Sequence, residues 1–589
     1  MTDIEKLKKL HSEGKIEKAL KLSSQLLKKH PNTYSYLHAH ASLHNNAGHI
    51  NVALRSYLKL HTLNPADISI VLAISTCFSK ISEYESSLKY FQIANKLRPN
   101  DHEIIMNIGV LYRLNGQVAE SKTYLEMGVK LAPKKAEAYH NLAITNELEE
   151  DFDTALSNYK KAVELDNKHY RALGNMGVVY SKLGKLNQAE HAFLASLAIN
   201  QKYDLALKNL GINYVYQKRL DEAKALLFKA IEYYPNSGMF YNNITQLKNL
   251  NEEELNQIKI AIENVIASKA ETLSIEQMYF SLGKICQSLK EYKAAEASYL
   301  KANKIVSKMK PYDRSFVSSY FDYSKYLISH MNTSFESHVS GENFVFIVGM
   351  PRSGTTLLES LLSTHNKLIP GDELPYLNHI CFDELFKNKR PIGQPNNDNL
   401  EVISNYYSSK TSTLFSKPNI LIDKLPHNFR WIPIISAVFP KATIVHISRD
   451  PIDNCWSLFR ENFNNSHEYS YQLKTLGEYY AKYQELMLLF KKKGNYNIID
   501  VTYEALVDQP INTIKNIFNK MNINPEDFVE QLRDNNYYSK TASSVQVQQP
   551  VSKASVQGWR KHSDFLRPLV LNLQKHQESL GLPIYDDTL

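Results

Sequence analysis

The strongest constraint on this chain is a period. Pro31, Pro65, Pro99, Pro133 and Pro235 are separated by multiples of 34, and the two skipped slots hold Asn167 and Gln201. A second column runs in phase through Gly14, Gly48, Ser82, Gly116, Glu150, Gly184 and Lys218. A third follows five positions later, through Ala19, Ala53, Ser87, Ser121, Ala155, Ala189 and Ala223. Columns in phase over this many units describe one structural element repeated, and a period of this length means stacked helix pairs. The glycine-rich column is the turn between two helices. The small residues let those helices approach closely. Proline stops the second helix, because its ring cannot continue one. Such units bury their apolar faces only against their neighbours, so they stack into a superhelix with a long concave face.

These columns resemble the tetratricopeptide repeat family, from roughly Met1 to Ser237. A further unit near Ile275 to Lys308 is marked by Leu282-Gly283 and by Ala294-Ala295 before Tyr299. The stretch between, around Asn249 to Ala270, is charged and helical but out of phase. Residues 1–310 are therefore expected to form an all-α repeat superhelix. Inside it, Asn107, Asn141, Asn175, Asn209 and Asn243 recur every 34 residues on the first helix of successive units. Two readings of that column stand. The carboxamides bond locally and serve the fold, or they form a row of donors and acceptors that clamps the backbone of an extended acceptor polypeptide. A similar asparagine ladder occurs in the repeat domain of the cytoplasmic O-linked N-acetylglucosamine transferases.

The pattern changes near residue 340. Residues 311–342 read as a helical linker, closed by Ser340-Gly341-Glu342-Asn343, and residues 343–589 as a second domain. Phe344-Val345-Phe346-Ile347-Val348 is an apolar, β-rich run of strand length. Gly349-Met350-Pro351-Arg352-Ser353-Gly354-Thr355-Thr356 follows, and then the amphipathic run Leu357-Leu358-Glu359-Ser360-Leu361-Leu362. Strand, glycine-containing turn and helix make a phosphate cradle, in which free N–H groups and a helix N-terminus face an anion. The loop is close to a P-loop but holds Thr355 where a nucleoside triphosphatase has its Lys. Arg352 is the nearby cation. A loop that keeps the cradle and loses that Lys suits a phosphate ester other than a triphosphate, which disfavours a nucleotide kinase. Further strands are expected at Asn419–Asp423, Ala442–Ser448 and Asn497–Val501, separated by helices such as Leu473 to Lys492. The expectation is an α/β, P-loop-like domain with a parallel sheet, whose ligands sit at the carboxyl ends of the strands. Arg352, Lys424, Arg449 and Tyr503 stand at those ends.

These residues carry a second resemblance. Pro351-Arg352-Ser353-Gly354-Thr355-Thr356 resembles the 5′-phosphosulfate loop of sulfotransferases that use 3′-phosphoadenosine 5′-phosphosulfate (PAPS). Arg449-Asp450-Pro451, with Ser457 eight residues after the Arg, resembles their 3′-phosphate motif. Within that superfamily the ordered set, from about Asn343 to Asp564, is most similar to the protein-tyrosine sulfotransferases. Glu373, 21 residues after Arg352 in Gly371-Asp372-Glu373, stands where that family has its catalytic base. Asp423-Lys424-Leu425-Pro426 resembles the segment of its catalytic Lys. Tyr503-Glu504-Ala505-Leu506-Val507 matches a Tyr-Glu-x-Leu-Val stretch. Ser543-Ser544 to Pro550-Val551 and Trp559 keep the spacing of its nucleotide-covering loop.

The resemblance implies that Glu373, Lys424 and Arg352 are catalytic. It also implies that Arg352, Ser353, Gly354, Thr355, Thr356, Arg449, Ser457, Tyr503, Ser543 and Ser544 hold the donor. Asp372 and His427 are the competing bases; His365 and His446 read as structural, and Trp431, Trp456 and Trp559 as core. Two departures concern the acceptor: Leu374-Pro375 follow Glu373 where that family has an Arg, and Gln549 stands where its loop has a Lys.

The implied function is PAPS-dependent sulfuryl transfer to a hydroxyl acceptor, protein tyrosine first, with the repeats binding a protein or peptide acceptor. A glycan sulfotransferase and a repeat scaffold with an inactive sulfotransferase-like domain are the alternatives. Sulfuryl transfer resembles phosphoryl transfer, with a planar centre passing in line between two oxygens. No carboxylate follows a strand in a magnesium-binding pattern, so no metal is expected. The net charge of +8 over 589 residues lacks the footprint of a nucleic-acid binder. No apolar run reaches the roughly 18 residues of a membrane span. Four cysteines make no disulfide framework, which points to a reducing compartment, most simply the cytoplasm.

Overall fold

The computed structural model describes residues 2–268, 272, 274–331, 335–412, 414, 419–463, 467–493, 496–525 and 556–581. The chain divides into two compact units, Met1–Asn213 and Tyr214–Leu589.

The first unit is a stack of helix hairpins. A short pair, Asp3–Ser12 and Ile16–Lys29, is followed by pairs of 13 and 14 residues, beginning with Tyr34–Asn46 and Ile50–Leu63. The last complete pair in it is Tyr170–Lys182 with Leu186–Ile199. The three sequence columns fall where their chemistry requires. Gly14, Gly48, Gly116 and Gly184 have φ between 70° and 80°, and Ser82 and Glu150 hold the same left-handed turn at 61° and 62°. Nothing lies within 4 Å of a Cβ added at those glycines, so backbone conformation rather than crowding selects the residue. The small-residue column is fully buried, from Ala19 through Ser87 and Ser121 to Ala189. Its serines bond inward, Ser87 Oγ donating to the Ser75 carbonyl at 2.8 Å and Ser121 Oγ meeting Thr145 Oγ1 at 3.1 Å. Each proline lies two residues beyond a second helix, as Pro65 does after Leu63.

The second unit begins with further helices. Glu252–Ala267 is closed at its start by a reciprocal Asn251–Glu254 capping box. The hairpin Ile275–Ser288 and Tyr292–Met309 follows, and then the helix Arg314–His330, which buries Phe321 and Leu327. The strands come next: β1 Phe344–Gly349, β2 Leu368–Pro370, β3 Phe386–Lys387, β4 Arg390–Pro391, β5 Ile420–Asp423, β6 Thr443–Ser448 and β7 Ile498–Thr502. Five of them form one sheet in the order β2-β5-β1-β6-β7, with every pair parallel. β3 and β4 are a small separate hairpin. All six residues of β1 are buried, as a strand covered by helices on both faces must be. One face packs Val345, Ile347, Leu358, Val445, Ile447 and Phe518 together. The other stacks Phe344 and Phe346 against Tyr407 and Phe439.

Four of these sheet strands lie within one residue of the sequence expectation. β2 and the β3–β4 hairpin were not foreseen, because two- and three-residue strands carry no periodicity. Within the second unit the hairpin at 275–309 is bonded to the last turn of the helix Pro451–Phe459 and to Arg460 just after it. Asn303 Nδ2 donates to the Phe459 carbonyl at 2.8 Å, and Arg460 Nη1 to Gln287 Oε1 at 2.9 Å. Tyr299 meets Trp456 edge-on at 5.6 Å.

Candidate active site

A parallel sheet delivers one loop per strand to its carboxyl edge, and that edge gathers the polar residues here. In order across the sheet stand Asp372 and Glu373 after β2, Lys424 after β5, the loop at 350–354 after β1, Arg449 after β6 and Tyr503 after β7. Residues as far apart in sequence as Met350 and Tyr503 thus share one edge.

The loop after β1 turns into the helix Thr355–Leu362, whose N-cap is Gly354 at φ +105°. A Cβ there would stand 2.5 Å from the Tyr503 ring, so this glycine is required twice over. Ser353, Thr355 and Thr356 are buried, and Ser353 Oγ has no hydrogen-bond partner among the described residues. The first N–H groups of a helix have no partner within it, and together with that hydroxyl they make a cradle fit for a phosphate ester.

Arg352, at φ +67°, turns the other way. Its Nε donates to Ser457 Oγ at 3.2 Å, and its Nη2 lies 3.7 Å from Glu461 Oε1. Burial lowers the Arg352 pKa. Burial alone would raise the Glu461 carboxyl, but Lys284, Arg352 and Arg460 outweigh it and hold that carboxyl below its usual value. Arg449 donates from Nη1 to the Arg352 carbonyl at 3.2 Å and lies 4.6 Å above the centre of the Tyr503 ring. Ser457 sits on the helix Pro451–Phe459, started by Asp450, whose carboxylate accepts the N–H groups of Ile452 and Asp453. Two clefts flank this cluster. One, of about 630 Å³, is lined by Arg352, Lys284, Gln287, Arg460 and Glu461; the other, of about 520 Å³, by Ser448, Arg449, Asp450, Glu504 and Gln557.

Lys424 is completely buried. Its Nζ lies 2.8 Å from Asp372 Oδ1, 3.4 Å from Glu373 Oε1 and 3.7 Å from Glu359 Oε2. Burial works against its charge, but the carboxylates of Glu359, Glu373 and Asp372 prevail and hold its pKa above the usual value. Glu373 is the more exposed of the two acids after β2, at 44% against 23% for Asp372. It is the one that can meet an acceptor from outside. Asp423 points the opposite way, accepting the Tyr407 hydroxyl at 2.9 Å and the Leu425 N–H at 3.1 Å.

His427 is buried against the Tyr469 hydroxyl at 3.2 Å, and burial pushes its pKa well below the usual value. His446 bridges Asp500 and Tyr483, and His365 lies beside the Asn524 carbonyl. Trp431, Trp456 and Trp559 are buried. Ser543 and Ser544 lie outside the described residues. The chain is described again just beyond them, where the Trp559 N–H donates to Asp453 Oδ1 at 3.1 Å.

In the first unit the asparagine column is not uniform. Asn107 and Asn209 donate from Nδ2 to carbonyls four residues back in their own helices, Glu103 and Leu205, both at 2.8 Å. Asn175 Nδ2 stands 3.1 Å from His140 Nε2. Asn141 is half-buried, and its backbone carbonyl accepts Arg113 Nη1 at 3.1 Å. Asn243, in the second unit, is half-buried as well.

Glu359, Glu461 and Asp453 were missed as site residues. Glu359 read as the polar face of an amphipathic helix, yet it is fully buried. The one signal was its company, two pairs of leucines flanking Glu359 and Ser360.

Comparison with known proteins agrees with both halves of this description. Residues 345–527 match the model of the sulfotransferase family. Tetratricopeptide repeat models match residues 102–135, 148–210, 205–237 and 276–305. An uncharacterised protein of Aquifex aeolicus (strain VF5) is 27% identical over 326 residues, covering 52% of this chain and 42% of the relative. A protein of Caenorhabditis briggsae, provisionally named a protein-tyrosine sulfotransferase, is 25% identical over 196 residues, covering 31% of this chain and 66% of that protein. The chain thus spans less than two thirds of the length of either relative. Among solved structures, a tetratricopeptide repeat protein from Parabacteroides merdae ATCC 43184 is 20% identical with a TM-score of 0.31, over 42% of this chain and 94% of its own. In this chain a sulfotransferase-family domain follows an array of tetratricopeptide repeats.

Proposed function

We propose that the chain is a PAPS-dependent sulfotransferase whose acceptor is a tyrosine hydroxyl of a protein, captured by the repeats. The observation that carries this is the row across one sheet edge: an exposed acid, a buried cation, a phosphate cradle and an arginine–serine pair. The proposed division of labour assigns residues 1–310 to acceptor capture, 311–342 to a helical link and 343–589 to catalysis.

The donor would supply an activated sulfuryl group on a phosphate. The N–H groups of Ser353 to Thr356 and the Ser353 hydroxyl would hold its 5′ end, and Arg449 and Ser457 its 3′-phosphate. The Tyr503 ring, already packed on Gly354 and under Arg449, would line the base. A phenol has a pKa near 10, so a base helps at neutral pH. Glu373 would accept that proton, being the exposed acid of the pair. Lys424 and Arg352 would face the leaving phosphate with positive charge fixed in advance, the arrangement in which electrostatic stabilisation costs least reorganisation. Four buried, unpaired cysteines support a reducing compartment such as the cytoplasm.

The deciding experiment is transfer from sulfur-labelled PAPS to a panel of tyrosine peptides, proteins and oligosaccharides. Label on tyrosine supports the proposal. Label on oligosaccharide alone replaces the acceptor class, and no transfer with any acceptor refutes the enzymatic reading.

A further inference from the structure

Glu359 has no part in the reading above, yet it is as completely enclosed as Lys424. It is one turn into the helix Thr355–Leu362, 0% exposed, and its two oxygens face two different elements. Oε1 accepts the Asp372 N–H at 2.9 Å; Oε2 lies 3.7 Å from Lys424 Nζ. Asp372 is left-handed, at φ 61°, and its carbonyl accepts the Lys424 N–H at 2.9 Å. The turn that carries Glu373 and the strand end that carries Lys424 are therefore both fastened to one carboxylate. That carboxylate rides on the helix that opens the phosphate cradle.

We propose that Glu359 is a positioning residue of this site: its buried carboxylate sets the Asp372–Glu373 turn and supplies the counter-charge that keeps Lys424 an ammonium. This rests on the sulfotransferase reading. A buried lysine without a partner loses its proton readily, since burial disfavours the charged form. The other groups facing Lys424 are Asp372 and Glu373 after β2, and Asp423 beside it, whose carboxylate is engaged by Tyr407 of the helix Asn397–Thr411. Asp372 and Glu373 are partly exposed, and Glu373 has a proton to take in the reaction. Glu359 is the one counter-charge of the three that stays sealed from solvent.

Glu359→Gln separates charge from shape, because the amide oxygen still accepts the Asp372 N–H. The expected result is a fall in kcat of about 10- to 100-fold with little change in the KM for PAPS, as for partners that orient a reacting group. The alkaline fall in activity should also move to lower pH by about 1–3 units, the effect of an opposite charge at this range. The same shift should appear in the affinity for 3′,5′-adenosine bisphosphate, measured by calorimetry across pH. On a Lys424→Gln background the second substitution should cost nothing more. Wild-type kcat and an unmoved pH profile in Glu359→Gln overturn the inference, while failure of the wild type to bind the bisphosphate overturns the sulfotransferase reading instead. If Glu359→Gln does not fold, the double variant with Lys424→Gln decides: recovery of the fold supports the pairing, and continued unfolding refutes it.

Discussion

Lys424 lies among more negative charge than it carries, with three carboxylates within 3.7 Å of one ammonium. Glu373 is the partner best placed to be released for chemistry. Replacing it by Gln should lower turnover by about 10²–10⁴-fold while calorimetry shows the bisphosphate still bound; near-normal turnover would return the base to Asp372. Its neighbour Asp423 gives a stability prediction. Burial raises the Asp423 carboxyl from 3.8 to about 7. A group raised in the folded state binds its proton more tightly there, so its contribution is full below about pH 4 and is lost as pH rises through about 7. Asp423→Asn should therefore gain on the wild type steadily across that window in thermal unfolding, and a difference independent of pH would contradict it. Arg352, Arg449 and Lys424 were legible in the sequence because a strand end followed by a cation is a local pattern. Glu359 was not, since its partners come from loops 13 and 65 residues away and burial cannot be read from one helix. Nor was the contact between Arg352 and Ser457, two residues assigned to opposite ends of one donor.

At the scale of elements, the repeats were legible almost to the residue, because one hairpin copied many times leaves a column for each constraint. The left-handed turn shows it: four glycines hold φ of 70–80° in the first unit, and Glu150 accepts 62° without the glycine. A side chain in that conformation costs about 1–2 kcal/mol, part of which glycine forfeits through its looser unfolded chain. Glu150→Gly should thus stabilise by about 0.5–1 kcal/mol, visible as a raised unfolding midpoint, and a lowered midpoint would show that Glu150 earns its place otherwise. The sheet was less legible. Four strands showed as apolar runs, but β2 has three residues ending in proline. Proline is tolerated there because β2 is an edge strand. It is also the strand that delivers Glu373, so the proposed base was singled out by motif spacing while the element beneath it went unseen.

For the whole molecule the question is whether the repeats hold the acceptor. Replacing Asn141, Asn175 and Asn209 together by Ala should raise the KM for a long protein acceptor by about 10-fold or more, at roughly 0.5–1.5 kcal/mol for each lost hydrogen bond. A short tyrosine peptide should be unaffected. Asn209 already spends one N–H on its own helix, so an equal effect on both acceptors, or none, would assign the column to the fold. A last consequence follows from the hairpin at 275–309. Within the first unit each hairpin packs on the next, so their number can change by whole copies at little cost to the rest of that unit. This one cannot be traded in that way: Asn303, Gln287 and Tyr299 serve as the flooring beneath Phe459, Arg460 and Trp456. Lineages and engineers alike are free to lengthen, shorten or swap the hairpins between Tyr34 and Ile199, while a graft made at residue 310 would tear out the footing of the candidate site, and one made at residue 275 would take with it the residues from Thr245 to Leu255 that line the cleft beside Arg352.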